Sequence, residues 1–175
     1  LAERSLGRGA LLRLAKELSD ELAVLDRVAT TVLADADRLR MLSDAASPDV
    51  ELGRGVAAVT ALGLHRWYCA LESIVERVER AFGTLPDGPE WHIELLQGAT
   101  SEIPAVRPPL LPVERLDALR ELLKFRHFLR HAYAVELDAT RLLVLADTLA
   151  AARRDVCEGI TGFVGVLRAM AEAMG

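Results

Sequence analysis

Apolar residues recur early in the chain at alternating spacings of four and three: Leu18, Leu22, Leu25, Ala29, Val32, Ala36 and Leu39. This is an a/d seam held for roughly three heptads, the mark of a long bundle or coiled-coil helix. No proline interrupts it from about Ser5 to Leu42, and the last glycine before its end is Gly9. The spacing therefore predicts one helix over that stretch, followed by a linker with capping residues, SDAASPD, at 43–49. A second helix is predicted over Val50–Phe82, with Leu64, Leu71, Ile74, Val75, Val78 and Phe82 on one side. Its glycine-containing start is the weakest part of the pattern. The run GTLPDGPE stops it, because Gly and Pro punctuate helices. A short helix over Trp91 to about Gly98 comes next, then a loop with four prolines between Pro104 and Pro112. A fourth helix begins near Val113 or Glu114. Asp138, a favoured N-cap, opens the way to a last helix from Thr140 to about Met174. No period-two pattern, internal repeat or low-complexity segment is present. The expected fold class is all-α, a bundle of four to five helices forming a single domain over residues 1–175.

Composition sharpens this picture in three places. A length of 175 residues with 51% hydrophobic and 27% charged side chains suits one folded domain with a proper core. A net charge of −5 argues against a chain that is basic all over, yet leaves room for a local basic site, since binding depends on the nearby field. Cys69 and Cys157 show no paired spacing and are read as buried, reduced thiols rather than a disulfide. No stretch approaches an uncharged membrane span, and Arg and Lys interrupt the apolar run at the start, where a signal peptide would have its core. The chain begins at Leu, and its expected location is cytoplasmic.

Candidate chemistry gathers in the fourth helix, at FRHFLRHAY, residues 125–133. Wound at about 100° per residue, Arg126, Arg130, His127, Arg120, His131 and Lys124 fall within one half of the helix. Leu122, Phe125, Phe128, Leu129 and Ala132 fall in the other, and Leu123 is the apolar exception on the basic side. Tyr133 sits at the boundary, nearly in line with Arg126, where a ring can pack by its edge and still present its hydroxyl. From Arg120 to Tyr133 four cations face one anion, Glu121, a net +3, so the remainder of the chain carries −8. A solvated helix face commonly mixes signs, because Glu–Lys pairs stabilise helices. This face is nearly single-signed and holds imidazoles, which give and take protons near neutrality. It is suited to an anion: RNA, a nucleotide or an acidic protein surface. His127 and His131, four residues apart, are also spaced as metal ligands. Two flanking arginines and the lack of a nearby Cys or acidic residue argue against a cation, and no metal or other cofactor is expected.

The octad Arg126, His127, Phe128, Leu129, Arg130, His131, Ala132, Tyr133 resembles the signature of the HEPN superfamily, and within it the HepT-like ribonuclease toxins. That signature is an Arg with a polar residue after it, a His separated from the Arg by four to six residues, and a Tyr two residues after the His. WHIELL at 91–96, EIPAVRP at 102–108 and LLKFRHFLRHAYAVELD at 122–138 also resemble, in this order along the chain, segments of one HepT-like subgroup, and CALESIVERV at 69–78 suits the long second helix of these proteins. By motif the resemblance covers roughly residues 60–140. It implies a toxin of a type VII-like toxin–antitoxin system that acts as a metal-independent endoribonuclease. It also implies a homodimer whose Arg–His motifs meet across a cleft at the dimer interface. Arg126 and His131 would be the catalytic pair, with His127 in support and Arg120, Lys124 and Arg130 holding the RNA strand. The implied partner is a minimal nucleotidyltransferase (MNT) antitoxin that neutralises the toxin by adding AMP to Tyr133.

A non-catalytic HEPN-type dimer, binding RNA or nucleotides through the same basic face, is the alternative. The intact Arg–His pair favours the enzyme, because a binding module needs charge but no imidazole. A purely structural bundle assembling through the Leu18–Leu39 seam leaves the basic stripe unexplained. Elsewhere, His65 is read as part of a partly buried helix or a dimer contact, and His92 as the opening of the short helix, with a role near the cleft as the lesser reading. Arg107 either reaches RNA or caps a helix C-terminus. Glu17, Glu21, Asp35 and Asp37 are read as the solvent face of the first helix.

Overall fold

The computed structural model describes residues 6–45, 49–88, 90–131 and 136–175. Five α-helices follow one another: α1 (Arg8–Ser43), α2 (Val50–Phe82), α3 (Trp91–Ala99), α4 (Leu116–His131) and α5 (Ala139–Ala173). A 3-10 turn at Val113–Arg115 leads into α4. Among the described residues there is no strand, only an isolated bridge between Ile103 and Arg107. The fold is an all-α bundle, with helices where the apolar periods place them.

Local chemistry sets the helix ends. The Asp49 carboxylate accepts from the Leu52 amide to start α2, and the Asp138 carboxylate accepts from the Thr140 and Arg141 amides to start α5. At the end of α2, Gly83 takes φ 72°, a left-handed turn that suits glycine, and Thr84 N–H donates to Glu79 O at 2.8 Å. The seam of α1 is buried at Leu18, Leu25, Ala29, Val32, Ala36 and Leu39, with Leu22 half-buried, and it packs along α5 and α2. Helices α1 and α2 approach closely at Gly63, where an added Cβ would lie 2.6 Å from Val32 Cγ2.

The acidic residues of α1 are not simply its solvent face. Arg77 of α2 donates to Glu21 at 2.6 Å and to Glu17 at 3.0 Å, and Asp35 is 9% exposed. Cys69 and Cys157 are free thiols, half-buried rather than buried. No described helix is long and apolar enough to cross a membrane.

One face of α2 decides where α3 and α4 settle. Leu64, Tyr68, Leu71, Val75 and Val78 are buried on it, at spacings of four and three. His65, Glu72 and Glu79 run beside that seam at seven-residue intervals. Glu79 and Arg107 form a fully buried ion pair. Arg107 also donates to the carbonyls of Gly98 and Ser101, so of its two expected roles it takes the helix C-cap, at the end of α3. The loop then returns along α3, Leu110 and Leu111 donating to Ala99 O at 2.8 and 3.0 Å, and delivers the chain to α4. The next carboxylate up the stripe, Glu72, meets α4 itself.

Candidate active site

Arg126 is 6% exposed. Its Nη2 donates to Glu72 Oε2 at 2.7 Å, and its Nη1 lies 3.3 Å from His92 Nε2. His92 Nδ1 in turn lies 2.6 Å from Glu72 Oε1. The three side chains, from α4, α2 and α3, close a ring of polar contacts inside the bundle. Trp91 stacks on His92 with ring centroids 3.7 Å apart, and His127 meets His92 edge-on at 5.1 Å. The space between Glu72, His92 and the apolar wall of Tyr68, Leu71, Val75, Leu95 and Leu96 is about 10 Å³, at most one water.

This placement corrects the helical wheel. Leu119, Leu122, Leu123, Phe125 and Arg126 are the buried residues of α4, so Arg126 lies inside the buried arc instead of on an open basic face. Leu123 is no exception, since it shares that arc. A guanidinium tolerates burial when it is paired and hydrogen-bonded, and Glu72 and His92 supply the partners. The basic half is divided further. Lys124 donates to Glu121 at 2.6 Å and Arg120 to Asp117 at 3.2 Å, both at three-residue spacing along the exposed side. Arg130 and His131 are exposed in the last turn of α4, and among the described residues no carboxylate pairs with either. Tyr133, the expected modification site, lies outside the described residues, as does Ala132.

The ring's electrostatics follow from burial. The His127 imidazole is held below its ordinary value by burial first, then by repulsion from Arg126. His65 is lowered in the same way, by burial and then by Arg126 and Arg130. Burial pushes the Tyr68 phenol upward. The chain has four histidines, and His65, His92 and His127 surround Arg126 while His131 ends the same helix. Neutral imidazoles beside a fixed guanidinium are the equipment of proton transfer next to an anion. Among the described residues no three His, Cys, Asp or Glu side chains are grouped so as to hold a metal ion.

The structure joins Arg126 and His127 to His92, but within one protomer no hydrogen bond links Arg126 with His131 among the described residues. Nothing in the octad points to Glu72, and the sequence favours helix-opening for His92 and helix packing or a dimer contact for His65. The available signal was the seven-residue interval from His65 to Glu72 to Glu79, beside an apolar seam that an arginine-bearing helix must cover.

A helical bundle with an Arg–His motif in its fourth helix is the arrangement that the resemblance to the HEPN superfamily implies. Residues 59–167 match the family model described as HepT-like protein, and the chain belongs to the HepT-like family, within the HEPN-type toxins that its octad resembles. Neither the comparison with curated proteins nor that with solved structures gives a match.

Proposed function

We propose that this HepT-like protein is a metal-independent endoribonuclease toxin. One observation carries the reading: Arg126 is fixed by Glu72 and His92 on the helix whose last turn presents His131 to solvent. A neutral His131 takes the proton of a ribose 2′-hydroxyl, and that oxygen attacks the adjacent phosphorus. The bond from phosphorus to the 5′-oxygen breaks, and the leaving oxygen gains a proton. The products are a 2′,3′-cyclic phosphate and a 5′-hydroxyl. Arg126 stabilises charge growing on the phosphoryl oxygens, for which its planar fork is suited. His127, neutral and half-buried, orients the pair. Arg130, with no described carboxylate partner, holds the strand more strongly than Arg120 or Lys124, whose charges are shared with Asp117 and Glu121. With Arg126 turned inward and His131 outward, pairing of two protomers across a cleft completes the site. A nucleotidyltransferase antitoxin that adds AMP to Tyr133 would add phosphate charge and bulk two residues beyond His131 and exclude RNA. The cytoplasm is the compartment where such a pair acts.

A second reading rests on Glu72. An arginine neutralised by a buried carboxylate is less free to serve a transition state, which favours a dimer that binds RNA without cutting it. The two separate on cleavage by purified, unmodified protein in EDTA, with product ends analysed. Cyclic phosphate ends, lost by about a hundredfold or more in both Arg126→Ala and His131→Ala, are the expected result. Binding without cleavage, by protein whose mass shows no added AMP, would leave the second reading standing.

A further inference from the structure

We propose that His92 is a positioning residue for Arg126, acting as a neutral imidazole whose proton sits on Nδ1. The assignment follows from the contacts. A guanidinium has five N–H donors and no acceptor, so the 3.3 Å contact requires His92 Nε2 to be the acceptor and hence unprotonated. The ring's proton is then on Nδ1, where it donates to Glu72 Oε1 at 2.6 Å. Glu72 takes both a His92 proton and an Arg126 proton, one on each oxygen, and the three groups fix one another. His92 and Glu72 side chains are 14% and 10% exposed, so water competes little for these contacts.

Neighbours hold the ring in that state. Trp91 lies against its face and His127 against its edge. Glu72 is the carboxylate it touches, and Arg126 is the cation in contact with it. A second proton on His92 would set an N–H of Nε2 against the N–H of Arg126 and open the ring. Arg126 Nε–H, meanwhile, is buried without an acceptor among the described residues. A buried donor left unpaired costs about 1–3 kcal/mol, so its retention calls for a reason. In the nuclease reading that reason is a phosphoryl oxygen of RNA, met by a guanidinium already locked in place. Only this last step rests on that reading.

The test separates His92's two bonds. In His92→Gln the Oε1 atom can restore the acceptor for Arg126, whereas in His92→Asn the shorter amide can restore only the donor to Glu72. Nitrogen-15 NMR of the full chain without RNA reads the His92 tautomer and the exchange of Arg126 Nε–H with water. The expected spectrum shows proton-bearing Nδ1 and a bare Nε2. Exchange at Arg126 rises by about tenfold in His92→Ala and His92→Asn and stays slow in His92→Gln. In RNA cleavage, kcat falls by about a hundredfold in His92→Ala and His92→Asn and recovers in His92→Gln, with KM little changed. A proton on Nε2, or equal exchange in the Gln and Asn variants, overturns the proposal. Absent cleavage with the expected spectrum sinks the nuclease reading and leaves the positioning role intact.

Discussion

His65 and His127 both titrate below the ordinary imidazole value, because burial strips them of water and Arg126 repels an added proton. Above the unfolded value of 6.5 both are neutral in either state and the fold is unaffected. As pH falls through that value the unfolded chain binds protons first, so stability is lost until the lower folded values are reached. Urea denaturation at about pH 7.5 and about pH 5.5 should show the drop, and His127→Gln or His65→Gln should flatten it. An unchanged slope in both variants would place the acid sensitivity elsewhere. None of this was visible in the octad alone. A helical wheel sorts the residues of one helix by type, and an arginine among leucines reads as the edge of a basic face. Arg126 is buried because its carboxylate comes from Glu72, 54 residues earlier, and its imidazole from His92, 34 residues earlier.

At the scale of elements, periodicity was a good guide and packing partners were not. The α2 limits, Val50 and Phe82, are where the capping residue Asp49 and the glycine at 83 put them. The described starts of α1, α3, α4 and α5, and the ends of α1, α3 and α5, fall within a few residues of expectation. Apolar periods and caps are local properties, which is why they can be read from a sequence. Whether two helices touch is not local, and Gly63 shows it. Within α2 it is an unremarkable weak helix former, yet in the bundle it admits Val32 of α1, itself 1% exposed. Gly63→Ala should gain about 1 kcal/mol of helix propensity and lose about 1–3 kcal/mol to overpacking against a stiff β-branched side chain. Thermal unfolding should therefore show a net loss. Shortening the neighbour in Gly63→Ala/Val32→Ala should leave a double variant more stable than the sum of the two single losses. Strict additivity would mean that the two helices already sit further apart.

Across the whole molecule, the matched family region and the folded unit have different extents. The match spans residues 59–167 and so omits α1 and the first turns of α2. Yet α1 buries Leu11, Leu14, Ala15, Leu18, Leu25, Ala29, Val32, Ala36 and Leu39 against the rest of the bundle. Its cross-links include Arg153 to Asp26 at 2.7 Å from α5 and Arg77 to Glu21 from α2. Without α1, the inner faces of α2 and α5 would present their apolar seams to water along most of their length. Burying an aliphatic side chain contributes about 1.5–3 kcal/mol, and a domain's whole stability is about 5–15 kcal/mol, so the shortened chain has no margin. One cooperative unfolding transition is expected for the full chain, followed alike by circular dichroism and tryptophan fluorescence. A chain beginning at residue 46 should lack that transition and associate through the exposed seams. If it instead stays monomeric and unfolds cooperatively, α1 is an accessory to a core that stands without it. In that case the buried ring of Glu72, His92 and Arg126 would depend on α2, α3 and α4 with α5 alone behind them.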